Sequence, residues 1–311
     1  MKHFICLKDF SPKEIWEFVD LAIDIKHNPA KYSNALAGKC VGLFFEKPSL
    51  RTKIAFYVGA MQLGGSAVYY SPDEMQLGKR EKISDVARTV SHFMNAAVLR
   101  TFSHNSILEF AKFSLIPVIN ALSDLVHPSQ ILGDLVTIKE LKGDIKKLKV
   151  AYVGDGNNVC HTLIYAFSIL GGNLYIAAPK RYGPRKEIVE EAQKYAAMSN
   201  AKINIMLSPE EAVKDADVLY TDVWTSMGQE RESKKRRKVF RSFQLNDKLI
   251  KLAKNDCIIL HCLPAHRGEE ITDSVIDGKN SVVFAQAENR LHAAKAVLVK
   301  LLSSPTGHPA G

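Results

Sequence analysis

Three side chains that commonly bind anions lie close together in residues 45–56, FEKPSLRTKIAF, where an apolar run changes into a helical pattern. If a helix begins near Ser49, its first backbone N–H groups lack helical partners and lie at the positive end of the helix dipole. Ser49 and Thr52 would add hydroxyl donors, and Arg51 would add a guanidinium suited to a phosphate or a carboxylate. The segment therefore predicts an anion site. The alternative is that Ser49 only caps the helix and Arg51 only faces solvent.

Further donor side chains follow two later apolar runs. Arg100 comes directly after the run AAVL, and His127 and Gln130 lie in the segment HPSQ, at the start of another helical pattern. Taken alone, a histidine such as His127 is more often structural than catalytic. Together these side chains form a set of donors suited to an anion with an adjacent carbonyl group.

The elements that must position these residues alternate along the whole chain. Apolar runs of strand length alternate with helical patterns, first in the amino-terminal part and again from Leu148 onward. This alternation predicts α/β domains with doubly wound parallel sheets, and 311 residues suit two of them. The segment PSQILGDLVTIKELKG, residues 128–143, is predicted to be a helix that joins the two domains.

Domain boundaries and the candidate site follow from this pattern. We predict a first domain over 1–142, a second over 143–288, and a carboxy-terminal helix over 289–311 that returns toward the first domain and ends in a flexible tail. Because ligands of open parallel sheets bind beyond the carboxyl ends of the strands, the active site is expected in the cleft between the domains. The candidate strand ends are residues 46–52, 100–101, 123–130, 154–158, 222–228 and 261–267, with a turn at 286–290.

Composition narrows the protein class without selecting a ligand. The chain has 42 basic and 33 acidic residues, a balance that suits nucleic acid, a membrane surface or an anionic small molecule. Its five cysteines show no CxxC spacing, which favours a reducing cytoplasm over a disulfide framework. We expect no signal peptide and no membrane span, because no window approaches the roughly 20 apolar residues that a span requires.

Seven segments resemble, in order and over nearly the full length, the motifs of the ornithine carbamoyltransferases. They are FEKPSLRT, VLRTFSH, HPSQILGDL, GDGNNV, TDVWTSMGQE, HCLPAHRG and AENRLHAAKA. The resemblance implies attack of the side-chain amine of L-ornithine on carbamoyl phosphate, which yields L-citrulline and phosphate, in arginine synthesis or breakdown. It also implies a carbamoyl phosphate-binding domain, an ornithine-binding domain, and a homotrimer or a multiple of trimers with sites shared between subunits. No cofactor is implied.

The resemblance assigns carbamoyl phosphate binding to residues of both halves of the chain. They are Ser49, Leu50, Arg51, Thr52, Gln76, Arg100, His127, Gln130, Cys262, Leu263 and Arg290. Gln76 is expected to complete the site of a neighbouring subunit. The family pattern is usually S-T-R-T, so Leu50 removes a possible hydroxyl contact but keeps its backbone N–H. Thr52, Arg100 and His127 would stabilise the developing oxyanion, and the side-chain oxygen of Gln130 would accept from the carbamoyl nitrogen.

Ornithine recognition is assigned to a second set of residues. Asn158 and the backbone N–H of Met227 would bind the α-carboxylate, while Asp222 and Ser226 would bind the α-ammonium. Asp222 and Cys262 are also the family's candidates beside the reacting amine, whose ordinary pKa of roughly 10.4 requires loss of a proton before attack. A Cys262 thiolate and the substrate phosphate both remain open as the group that assists this step. The predicted catalytic residues are Arg100, His127, Asp222 and Cys262.

Other functions have weaker sequence support. The segment GDGNNV lacks the last glycine of a dinucleotide fingerprint, so NAD binding is not expected. The run KKRRK, residues 234–238, is interpreted as a solvated surface beside a mobile Ser-Met-Gly loop, not as a nucleic-acid site. No metal is expected, because His261, His266 and His292 lack ligand spacing.

Three functional alternatives remain at this stage. Putrescine and N-acylornithine carbamoyltransferases are related enzymes with other amine substrates. A non-catalytic binding protein on the same fold would explain the positive charge and the Leu50 substitution. Aspartate carbamoyltransferases are disfavoured, because they lack the D-x-x-x-S-M-G and His-Cys-Leu-Pro elements found here.

Overall fold

The structure, a computed structural model, describes residues 2–75, 77–226, 228 and 230–303. The chain divides into two compact units. The first contains the residues up to Val136 and those from Asn289 onward, and the second comprises Thr137–Glu288. Within the described ranges, no helix combines the length and the apolar character that crossing a membrane requires.

The first unit is built on four parallel strands. They are β1 (Cys40–Phe45), β2 (Ser66–Tyr70), β3 (Ala96–Arg100) and β4 (Val118–Leu122), arranged in the order β2-β1-β3-β4. The helices of this part of the chain are α1 (Pro12–His27), α2 (Leu50–Gln62), α3 (Pro72–Met75), α4 (Ile83–Phe93), α5 (His104–Phe113) and α6 (Pro128–Lys142). The parallel sheet predicted for this half of the chain is confirmed.

Burial accounts for the composition of these strands. The central strand β3 has five consecutive buried residues, and β1 is buried from Val41 to Phe45. Both therefore appear in the sequence as nearly continuous apolar runs, as expected for central parallel strands. The edge strand β2 has no fully buried residue and carries Tyr69 and Tyr70, whose rings contact Phe45 and Phe44 of β1.

The second unit has five parallel strands. They are β5 (Lys149–Val153), β6 (Asn173–Ala177), β7 (Lys202–Met206), β8 (Val218–Thr221) and β9 (Ile258–His261), in the order β7-β6-β5-β8-β9. Its helices are α7 (Asn158–Leu170), α8 (Lys186–Ser199), α9 (Pro209–Val213), α10 (Ser233–Phe240), α11 (Asp247–Ile250) and α12 (Asp273–Ile276), followed by the start of α13 (Val283–Leu302). The predicted fold class, two doubly wound parallel sheets joined by helices, is confirmed.

Two helices carry the chain from one unit to the other. The boundary at Val136 lies within α6, as predicted for a joining helix, and the boundary at Glu288 lies within α13. The turn predicted at 286–290 is wrong, because those residues are helical. Within the first unit α13 packs closely on α6: a Cβ atom at Gly133 would lie 3.2 Å from the backbone of Arg290. Because Gly133 has no side chain, the backbone of Arg290 can approach α6 this closely.

The strand order identifies where each sheet can hold a ligand. In the first sheet the chain runs from β1 to one neighbour, β2, and then returns to the other, β3, so the connections diverge between β1 and β3. In the second sheet they diverge between β5 and β8. Ligands of open α/β sheets bind at such switch points. Both fall on strand ends that the sequence predicted as candidate sites.

Candidate active site

The predicted site residues are distributed over both units. The first contains Ser49, Leu50, Arg51, Thr52, Arg100, His127, Gln130 and Arg290, and the second contains Asn158, Asp222, Ser226, Cys262 and Leu263. Gln76 and Met227 lie outside the described residues.

The corner between β1 and α2 begins the site of the first unit. Ser49 is the N-cap of α2, and its hydroxyl accepts weakly from the N–H of Thr52 at 3.4 Å. The first helical bond runs from the N–H of Lys53 to the carbonyl of Ser49 at 3.2 Å. Ser49 therefore caps α2, and the first N–H groups of the helix remain outside its hydrogen-bond ladder. Leu50 exposes its side chain to solvent.

Arg290 reaches this corner from α13. Its Nη2 atom donates to the Thr52 hydroxyl at 2.6 Å, and both residues are buried. Because the hydroxyl oxygen accepts from the guanidinium, its own proton can be donated to a ligand. The arrangement therefore offers a cation and a hydroxyl donor together at the start of α2.

His127 lies among cations and is neutral. It is buried just before α6, and Arg100 is buried at the end of β3. Burial first, and then the positive charges of Arg290, Arg100 and Lys47, hold the pKa of His127 well below its usual value of 6.5. A neutral imidazole can donate one N–H to a carbonyl oxygen without adding charge. His127 thus suits oxyanion stabilisation better than proton transfer near pH 7.

Lys47 is a residue of this corner that the sequence interpretation missed. It is buried directly after β1, and its ammonium lies 4.5 Å from the centre of the Phe102 ring. Burial first, and then Arg100, lower the pKa of Lys47 to about 8, whereas Asp124 and Glu46 oppose the shift. Its position at a predicted strand end, in the same motif as Arg51, could have indicated a second cation for the anion site. Lys47 adds a titratable cation to the anion site.

Gln130 supplies an acceptor to the same unit. Its Nε2 atom donates to the Oδ1 atom of Asp134 at 2.8 Å. Its Oε1 atom is buried and has no hydrogen-bond partner among the described residues. A buried carbonyl oxygen in this condition favours a ligand that brings an N–H group. Asp134 was not predicted, although its spacing of four residues from Gln130 on a helix could have indicated the pair.

Asp222 is the centre of the site in the second unit. It is buried after β8, and its carboxylate accepts from the Asn157 amide at 2.7 Å and from the Cys262 thiol at 2.9 Å. Asn157 also caps α7, where its side-chain oxygen accepts from the N–H groups of Val159 and Cys160. The sequence interpretation selected the neighbouring Asn158, which begins α7, and missed the contact of Asn157 with Asp222.

A second network supports the backbone around Cys262. His261 and Glu270 are fully buried, and the Nε2 atom of His261 lies 3.0 Å from the Oε1 atom of Glu270. The other ring nitrogen of His261 accepts from the N–H of Leu263 at 2.9 Å, so the proton on Nε2 is donated to Glu270. Donor atoms of Asp222, His261 and Cys262 lie within 4.8 Å of one another, but both ring nitrogens of His261 already make hydrogen bonds. Cys262 bonds to Asp222, whereas His261 bonds to Glu270 and to the N–H of Leu263.

The interpretation of KKRRK as wholly solvated is wrong for Arg236. This residue of α10 is buried, and its guanidinium lies 3.1 Å from the carboxylate of Asp155. The guanidinium also donates to the carbonyl of Trp224 at 2.8 Å and lies over the Tyr182 ring. Burial raises the pKa of Asp155 to about 6, although Arg236 acts in the opposite direction. One arginine of the basic run thus joins the segment before Ser226 to the strand end that precedes α7.

Comparisons with known proteins cover nearly the full chain, and all of them match it to the same family. A family model described as "Aspartate/ornithine carbamoyltransferase, carbamoyl-P binding domain" matches residues 2–140, and one described as "Aspartate/ornithine carbamoyltransferase, Asp/Orn binding domain" matches residues 146–301. The ornithine carbamoyltransferase of Pyrococcus horikoshii is 48% identical over 303 residues, covering 97% of this chain and 96% of that protein. A catabolic ornithine carbamoyltransferase of Thermoplasma acidophilum is 49% identical over 291 residues, covering 94% and 95%. The solved structure of the Pyrococcus furiosus ornithine carbamoyltransferase matches with a TM-score of 0.93 at 47% identity, covering 97% of each chain.

Proposed function

The chain belongs to the aspartate/ornithine carbamoyltransferase family, and we propose that it transfers the carbamoyl group of carbamoyl phosphate to the side-chain amine of L-ornithine, giving L-citrulline and phosphate. The first unit would bind carbamoyl phosphate, and the second would bind ornithine. One observation carries the proposal: buried cations surround a neutral His127, while the Gln130 carbonyl in the same unit lacks a partner among the described residues. Carbamoyl phosphate brings the matching phosphate, carbonyl oxygen and N–H groups.

In the proposed carbamoyl phosphate site each side chain has a distinct role. Arg51, Lys47 and the start of α2 would hold the phosphate group. As the amine nitrogen attacks, the carbonyl oxygen becomes negative, and Thr52, Arg100 and His127 would donate hydrogen bonds to it. The bond from the carbamoyl carbon to the phosphate oxygen then breaks. The absence of charge on His127 leaves the arginines and Lys47 to stabilise the leaving phosphate.

In the proposed ornithine site Asp222 would bind the α-ammonium with Ser226, and Asn158 would bind the α-carboxylate with the Met227 N–H. The reacting amine must lose a proton, which costs roughly 4–5 kcal/mol at pH 7 for an ordinary pKa of roughly 10.4. The Asp222 carboxylate at 2.9 Å favours a neutral Cys262 thiol over a thiolate, because a second negative charge would be repelled. The ammonium loses two protons in all. The first goes to solvent before attack, at the cost just given, and we propose that the leaving phosphate takes the second from the attacking nitrogen as the bond to the carbamoyl carbon breaks.

A citrulline assay on the purified protein tests the function. With carbamoyl phosphate supplied, ornithine should give citrulline, whereas putrescine and N-acetylornithine should react poorly because they lack a free α-carboxylate or α-ammonium. Arg51→Ala should lose affinity for carbamoyl phosphate by roughly 2–5 kcal/mol while remaining folded. A folded wild-type protein that binds carbamoyl phosphate but forms no citrulline would favour a non-catalytic role.

We also propose that the protein assembles as a homotrimer or a multiple of trimers. The helix α2 exposes an apolar stripe at helical spacing, formed by Leu50, Ile54, Tyr57 and Met61. Burial of this stripe against a second copy would explain its composition and would bring another chain close to the carbamoyl phosphate site. Light scattering should then give three times the mass of the 34.6 kDa chain, or a multiple of that value.

A cytoplasmic location is proposed as well, supported by five cysteines that form no disulfide.

A further inference from the structure

Gln130 and Asp134 form a buried pair in which the Gln130 amide donates to the Asp134 carboxyl group. They lie four residues apart on α6, which places them on the same face of the helix, and they are 1% and 0% exposed. An ionised carboxylate can only accept hydrogen bonds. In the structure the Nε2 atom of Gln130 donates to the Oδ1 atom of Asp134 at 2.8 Å, which is the direction that an ionised carboxylate requires. The Oε1 atom is consequently turned away from Asp134.

The orientation of the amide determines which ligand the site accepts. Oε1 is buried and has no partner among the described residues, and a buried carbonyl left unpaired is unfavourable. A carbamoyl NH₂ group can donate to it. Acetyl phosphate has a methyl group at the same place and would leave Oε1 unpaired, so an oriented Gln130 distinguishes two anions of nearly the same shape.

We propose that Asp134 is a specificity-determining positioning residue, which fixes the Gln130 amide so that the first unit selects carbamoyl phosphate over acyl phosphates. The inference rests on the proposed function. Without the carboxylate the two amide orientations would be close in energy, and in the reversed one the NH₂ groups of Gln130 and the ligand would oppose each other. The close approach of the Arg290 backbone to Gly133 leaves little room for α6 to shift and compensate.

Exchange of the two side-chain types provides a sharp test. Asp134→Asn replaces a group that can only accept with an amide that can accept or donate, so it no longer fixes the Gln130 amide. The expected result is a roughly 10- to 100-fold rise in KM for carbamoyl phosphate, with a similar rise in relative activity toward acetyl phosphate. Inhibition by inorganic phosphate, which has no NH₂ group, should stay unchanged, as should KM for ornithine. A general structural defect would weaken phosphate binding as well.

Variants at Gln130 test whether the orientation of its side chain determines selectivity, or only the presence of polar groups at these two positions. Gln130→Glu places two carboxylates against each other, so selection of carbamoyl phosphate should be lost at neutral pH. In the double variant Gln130→Glu with Asp134→Asn, the amide introduced at position 134 can donate to one oxygen of the new carboxylate, and the other oxygen can accept from the carbamoyl nitrogen. The ratio of carbamoyl phosphate to acetyl phosphate activity should therefore recover. Any repulsion of the ligand phosphate by the relocated charge acts on both anions alike.

A matched control is Asp217→Asn in the second unit, another buried aspartate, which pairs with Lys254 and with the N–H of Lys149. It should leave the ratio unchanged. The proposal is wrong if the folded Asp134→Asn variant keeps the wild-type ratio of carbamoyl phosphate to acetyl phosphate activity. It is also wrong if the double variant does not recover that ratio. The double variant carries the test if Asp134→Asn does not fold. A wild-type protein that makes no citrulline would instead reject the proposed function.

Discussion

The Nη2 atom of Arg290 lies 2.6 Å from the Oγ1 atom of Thr52, although 238 positions separate the two residues in the sequence. The bond joins α13 to the first turn of α2 within one unit. It orients the threonine hydroxyl by occupying its acceptor side, so that the hydroxyl proton can point at a ligand. A donor held in place before the ligand arrives needs no reorganisation during the reaction.

Thr52→Val is expected to weaken carbamoyl phosphate binding without unfolding the protein. Valine has nearly the same shape, but it removes the hydroxyl donor and leaves a guanidinium N–H of Arg290 without this acceptor. The expected loss is about 1–3 kcal/mol, or roughly 5- to 150-fold in affinity. Calorimetric titration with carbamoyl phosphate or phosphate measures it. Thr52→Ser, which keeps the hydroxyl, serves as the control, and equal affinities of the valine and serine variants would contradict the prediction.

Binding of phosphate near pH 8 is expected to take up a proton at Lys47. The pKa of Lys47 is about 8, because burial and Arg100 disfavour the ammonium. A bound anion favours the ammonium and raises that pKa, so phosphate affinity should fall as the pH rises above about 8. Titration in two buffers of different ionisation enthalpy gives the number of protons taken up. Lys47→Met should abolish the uptake, and Lys47→Arg should bind phosphate without it. If the wild type takes up no proton when phosphate binds, the prediction is contradicted.

Arg236→Gln is expected to impair ornithine use and to change its pH dependence. As the pH falls through about 6, Asp155 is protonated and its pairing with Arg236 weakens, so kcat/KM for ornithine should decline there. Removal of the guanidinium raises the pKa of Asp155 further, which should move this decline to higher pH. Steady-state rates between pH 5 and 9 measure the shift. Asp155→Asn should remove the dependence on this group.

The neighbouring Arg237 provides the control for that experiment. It lies on the same helix, is exposed, and pairs with Glu269 at 2.8 Å. Arg237→Gln changes the net charge equally and should leave the ornithine pH profile unchanged. If both arginine variants shift the profile alike, the effect comes from general electrostatics and not from the buried pair with Asp155.

The strand ends of the two candidate sites could be predicted because burial leaves a pattern in the sequence. Four consecutive buried residues of β3, AAVL, are apolar, so the buried Arg100 that ends the strand was conspicuous. The order of the apolar runs then indicated a parallel sheet and its binding edge. The contact of Arg290 with Thr52 left no such pattern, since periodicity reports which face of a helix is buried and not which side chains meet.

The basic run shows a different limit of sequence reasoning. Of its five residues only the side chain of Arg236 is buried, because the period of α10 turns this position inward, toward Asp155 and Trp224. Composition alone treats the five as equivalent and predicts a solvated surface. The partner that compensates the buried charge lies on a distant strand end, so it became visible only with the fold.

Cys262 is expected to act as a hydrogen-bond donor that orients Asp222, and not as a thiolate. Its Sγ atom donates to the Asp222 carboxylate at 2.9 Å, and the Asn157 amide donates to the other carboxylate oxygen. Cys262→Ser keeps a donor of similar size, so KM for ornithine and the pH profile should change little across pH 6–10, a window that brackets the roughly 8.5 pKa of an ordinary thiol. Cys262→Ala removes the donor and should raise KM for ornithine by roughly 2- to 10-fold, the effect of losing one hydrogen bond of about 0.5–1.5 kcal/mol. Steady-state kinetics of both variants separate the two roles. If the serine variant loses turnover and a kinetic pKa near 8.5 disappears with it, the thiolate takes part in the reaction and the donor role assigned here is wrong.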